Sequence, residues 1–226
     1  MKILLFISLV SPIFGQNTKD YPRFTYEQMT NKASTTRLSH RLFYQKSKGP
    51  DALWFDTVKQ GNLAEIKKMI NNGQNIEVTD EKSLGQTALL WATFLGYLDI
   101  TKYLIEEHNA NLFATDRADV QHVFKSAILG GDIETIEYLY PLMKSKIDLN
   151  AQDERDGETA LMVAVSNDRK DAVKFLLKQK VDINIISTQL NHSAMSVACA
   201  GNNQSMVDML AKAGGINHRT KKASCK

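Results

Sequence analysis

Two cysteines and four prolines in 226 residues are too few for a disulfide framework or a proline-rich extended chain, and 12 glycines do not make a collagen-like one. Beyond the first 15 residues no apolar run approaches the ~20 residues that span a bilayer. Gly-x-Ser-x-Gly, His-Glu-x-x-His, Cys-x-x-Cys and a phosphate-cradling Gly-rich loop are all missing, so no catalytic or metal-binding constellation has its required spacing. No cofactor is implied. With 43% hydrophobic and 23% charged residues, what remains is a folded protein of one or two domains with no chemistry of its own.

Met1 and Lys2 lead into an apolar run from Ile3 to Val10, then Pro12 and Gly15. A positive start, a short apolar core and a small residue at the cut form a secretory signal peptide, with cleavage expected near Gly15. The expected location is the periplasm or the extracellular space, with no integral membrane segment after cleavage.

The remainder repeats itself. Aligning Gly61, Gly96, Gly131, Asp168 and Asn202 gives spacings of 35, 35, 37 and 34 residues. Four residues before each stands a small residue, Thr57, Ala92, Ala127, Ala164 or Ala198, and eight residues after each begins a pair such as Leu104-Ile105 or Leu176-Leu177. Between the boundaries the apolar spacing is helical and breaks at the aligned residue, where Gly supplies the positive φ that ends a helix. Each unit is predicted to be helix, tight turn, helix, extended loop.

Thr87-Ala88-Leu89-Leu90-Trp91-Ala92 and Thr159-Ala160-Leu161-Met162-Val163-Ala164, with Ser193-Ala194-Met195-Ser196-Val197-Ala198 as a weaker copy, resemble the ankyrin repeat, whose signature is Thr-Pro-Leu-His-x-Ala. The resemblance covers residues 51–217 and implies an all-α solenoid of about five units, 51–80, 81–116, 117–153, 154–186 and 187–217. Residues 16–50 form a basic N-terminal capping segment, with Leu38 to Tyr44 a candidate lid, and 218–226 a basic tail. The family's Pro is replaced by Ala88, Val123, Ala160 and Ala194, and its His by Leu90, Lys125, Met162 and Ser196, which predicts weakened hydrogen bonding between repeats.

Charge is segregated. Residues 16–50 hold seven Lys or Arg against Asp20 and Glu27, and the tail holds Arg219, Lys221, Lys222 and Lys226, which leaves the repeat body at −7 of the overall +3. Basic ends on an acidic array either steer a complementary partner or are simply solvated. No aromatic side chains interleave with a basic helix face, so nucleic acid is not an expected partner. His122 and His192 sit at or beside the position the family fills with Thr, which favours capping over metal ligation. Cys199 stands where the repeat buries a small residue and is expected in the core; an oxidising compartment also permits a disulfide to Cys225.

The resemblance implies protein binding through the first helices and the turn fingertips. Phe94, Leu95 and Leu129 are the expected apolar hot spot on the concave face, with Ser166 and Asn167 on its polar continuation. The competing reading is that Phe94 and Leu95 fill a gap between repeats. Lengthened turns place Glu81, Lys82, Leu84, Glu154 and Arg155 at the fingertips, and Arg117 stands in a further turn that lacks its Gly. These features predict a non-enzymatic protein, monomeric when free, that binds an exported partner. The best expectation is an inhibitor or immunity protein holding an exported toxin or peptidoglycan hydrolase inactive, and the alternative is a secreted effector or structural adaptor.

Overall fold

The computed structural model describes residues 46–81, 84–117 and 122–226; the expected signal peptide, the candidate lid and Lys82 lie outside the described residues. Among the described residues ten α-helices follow one another in pairs. They are α1 (Ala52–Lys59), α2 (Leu63–Asn71), α3 (Ala88–Leu95), α4 (Leu98–Lys102), α5 (Val123–Gly130), α6 (Ile133–Met143), α7 (Ala160–Ser166), α8 (Lys170–Lys178), α9 (Ala194–Ala200) and α10 (Gln204–Lys212). A π-helical turn, Tyr103–Glu107, extends α4. Among the described residues there is no strand longer than an isolated bridge, so the expected all-α repeat solenoid is the observed one.

The five aligned breaks all adopt the left-handed backbone: φ is 69° at Gly61, 74° at Gly96, 84° at Gly131, 53° at Asp168 and 51° at Asn202. That conformation lets the second helix fold back on the first, and Asp and Asn are the non-glycine residues that tolerate it best. At Gly96 a side chain is excluded twice over, because an added Cβ would also lie 2.6 Å from the Asp132 Cβ of the next repeat.

Seven of the ten described helix starts are fixed by a side chain that satisfies an orphan amide. On the first helices, Thr87 Oγ1 accepts from Leu90 N, His122 Nδ1 from Lys125 N, Thr159 Oγ1 from Met162 N and Ser193 Oγ from Ser196 N. His122 thus takes the capping role read for it. On the second helices, Asn62, Asp132 and Asn203 do the same for Glu65, Thr135 and Met206. Helices this short are marginal alone, and packing of their apolar faces into one continuous core stabilises them. Ala92, Ala127 and Ala164 are fully buried, as the small-residue register requires.

At the family's His position one replacement does bond across repeats: Lys125 donates to the Glu158 carbonyl of the next unit at 3.2 Å, and to Asp153 Oδ2, at the end of its own unit, at 2.8 Å. One expectation is corrected here. Cys199 is not a core residue. The residues at its offset in inner repeats, Thr93, Ile128 and Val165, are buried, whereas Cys199, with no further repeat packed on it among the described residues, is half-exposed at the edge of the core and disulfide-bonded to Cys225.

Candidate binding surface

Contact positions were expected one and two residues before each aligned break, and their exposure changes along the array. Lys59, Phe94, Leu95 and Leu129 are 0%, 2%, 0% and 7% exposed. The expected hot spot of Phe94, Leu95 and Leu129 is therefore core. Its physical cause is close approach of first helices: Gly130 has no side chain, and an added Cβ would lie 2.1 Å from the Phe94 carbonyl oxygen. The Phe94 ring also meets Trp91 edge-on, with centroids 6.5 Å apart.

Charge is built into the same closed region. Lys59 Nζ, fully buried, contacts Asp80 Oδ2 at 3.0 Å and Ser47 Oγ at 2.6 Å, and sits 4.3 Å from the centroid of a Trp91 ring. Burial lowers the Lys59 pKa and Asp80 opposes that shift. Tyr97 donates its hydroxyl to the Lys59 carbonyl at 2.8 Å. A charged side chain that reads as a solvent-facing contact from its offset is instead a buried strut between a first helix and the following turn.

In the last two repeats the position two before the break opens, with Ser166 half-exposed and Ala200 exposed; one before the break, Leu95, Gly130 and Asn167 are buried, and Gln60 and Gly201, in the first and fifth repeats, are exposed. Between α7 and α9 lies a groove of about 470 Å³, walled by Ser166, Asn167, Asp168, His192, Asn203 and Arg219 over a floor that includes Val165, Val197 and Ala200. An apolar floor with a polar rim is the composition of a recognition groove. Its rim is prearranged. Asn203 donates to Asp168 Oδ1 at 2.8 Å, Asn167 donates to the Val163 carbonyl at 2.8 Å, and His192 Nε2 lies 2.9 Å from a nearly buried Glu158 carboxylate. Ser166 and Asn167 therefore do line one site, together with His192, Asn203 and Arg219, which were not singled out as contact residues. No periodic signal marks Arg219, because it comes from the tail.

The fingertips divide similarly. Glu81 and Arg117 are exposed but paired at 2.6 Å across adjacent turns, and Arg117 N donates to the Leu84 carbonyl at 2.8 Å. Leu84 is half-buried at φ 65°. Glu154 and Arg155 are exposed, with Arg155 4.0 Å from Asp156, and exposed Leu190 reaches the groove from the fifth turn.

Among the described residues no cluster of three or more His, Cys, Asp or Glu could hold a metal ion, and no helix is long and apolar enough to cross a membrane. The family model described as Ankyrin repeats (3 copies) matches residues 54–153 and 124–222. No curated protein matches the sequence.

Proposed function

Since the chain belongs to the ankyrin-repeat family, and its repeats make it a protein-binding scaffold, we propose that it acts outside the cytoplasm and seats its partner in the groove of the fourth and fifth repeats. The observation that carries this placement is the change of exposure at the offset two residues before each break: Lys59, Phe94 and Leu129 are buried, Ser166 is half-exposed and Ala200 is exposed. A protruding apolar or small polar side chain fits the floor, and a carboxylate or backbone carbonyl fits the Arg219 rim. Exposed Glu154 and Arg155 at the neighbouring fingertip widen the contact.

Export is supported by the leader-like residues 1–15 and is consistent with the Cys199–Cys225 disulfide. With no catalytic constellation in the sequence, the role that fits is stoichiometric restraint of another exported protein. An inhibitor or immunity protein against a toxin or cell-wall hydrolase is the specific form proposed. The test uses the native chain as bait in the envelope fraction of the producing cell, followed by affinity measurement on the purified partner. Ser166→Arg and Ala200→Arg should each weaken binding by about 10- to 100-fold with the fold intact. Unchanged affinity in both variants removes the groove from the interface. A protein recovered from the cytoplasm with Met1 still in place contradicts export.

A further inference from the structure

Residues 217–226 are not a frayed end but a folded strap on the last repeat. Asn217 N donates to the Lys222 carbonyl and Lys221 N to the Asn217 carbonyl, both at 2.8 Å, closing a turn. Arg219 N donates to Asn217 Oδ1 at 3.0 Å, its Nη2 donates to the Asn191 carbonyl at 3.2 Å, and His218 Nδ1 lies 3.2 Å from Ser193 Oγ. Beyond the turn, Cys225 bonds to Cys199 on α9. The strap supplies Arg219 to the groove wall opposite Asp168 and Asn203.

We propose that the Cys199–Cys225 disulfide is a redox latch on the groove. Oxidised, it holds the strap in place and Arg219 at the rim; reduced, it frees residues 218–226, and the groove loses one wall and its guanidinium. This regulatory role rests on the groove being the binding site, although strap release itself needs no partner. Cys225 is exposed and lies near Lys222 and Lys226 in the sequence, so an attacking thiolate can reach it and is drawn to it. The co-reactant is a dithiol reductant. Its thiolate attacks Cys225 Sγ, a mixed disulfide forms, and Cys199 leaves as a thiolate that takes up a proton. The reductant's second thiol then displaces Cys225, which also ends as a thiol. Two electrons and two protons pass to the protein, and the reductant leaves as its own disulfide. A few hydrogen bonds, exposed or part-buried, cannot hold nine residues of chain in place once the covalent tie is cut.

Residue-resolved hydrogen exchange on the full chain, with and without dithiothreitol, tests the latch. Reduction should speed exchange at the Arg219 and Lys221 amides by at least about tenfold while leaving Val173 and Leu176 in α8 unchanged, and reoxidation should restore it. Cys225→Ser should show the fast exchange without reductant. Protection that persists in Cys225→Ser, a disulfide that dithiothreitol cannot reduce in the folded chain, or loss spreading equally into α8 would each overturn the proposal. None of these readouts uses a partner, so the latch can fail while the binding reading stands, and the reverse.

Discussion

The first three repeats and the last two use the same residue offset for opposite purposes. In the first three, the position two residues before the break is occupied by Lys59, Phe94 and Leu129, all buried, with Lys59 tied to Asp80 and Gly130 pressed on the Phe94 backbone. In the last two it is occupied by half-exposed Ser166 and exposed Ala200, and a groove opens. The repeat specifies where a side chain points but not what lies opposite it. One half of the array has become a closed support and the other half has kept a recognition face.

The largest effect should come from breaking the closed half. Lys125→Met leaves the nearly buried Asp153 carboxylate without its 2.8 Å partner, and the expected loss of stability is about 3–5 kcal/mol by denaturant titration. Phe94→Ala should cost a similar ~3–5 kcal/mol, whereas Ser166→Ala in the groove should stay within ~0.5 kcal/mol of the parent. If Phe94→Ala and Ser166→Ala unfold at the same denaturant concentration, the two halves do not differ as described.

A pH titration probes the joint between the halves. Burial, reinforced by the neighbouring Lys125 charge, depresses the His122 pKa to about 4, and its neutral Nδ1 caps α5. Because the folded pKa lies below the unfolded one, near 6.5, this contribution is complete above pH 6.5 and is lost as pH falls towards 4. The amount lost is about 3 kcal/mol, and His122→Asn, which keeps a capping acceptor without titrating, should flatten the stability profile over that window. A profile unchanged by His122→Asn removes the cap from the account. At the small end, Arg117→Ala should cost less than ~1 kcal/mol, since both partners of the Glu81 pair are more than half exposed.

The register of the array was readable because a helix break with positive φ admits few residues, so Gly61, Gly96, Gly131, Asp168 and Asn202 announce it. Thr87, Thr159 and Ser193 announce the helix starts for the same reason: few side chains cap an amide. Exposure at the concave offsets was not readable, since it depends on how near α3 and α5 come, and only the missing side chain of Gly130 hints at that. His192 and Arg219 were missed as groove residues because neither lies at a repeating contact offset. Two cysteines 26 residues apart carry no geometry.

Hydroxyl-radical footprinting of the full oxidised chain tests the division of the face most directly, because it reads both halves in one sample. Phe94 is 2% exposed and Leu190, at the groove, is 42% exposed. After correction for intrinsic reactivity, Leu190 should be modified at least about tenfold faster than Phe94, with Leu95 and Leu129 protected like Phe94. Comparable rates at Leu190 and Phe94 would contradict the closed and open halves on which the account depends.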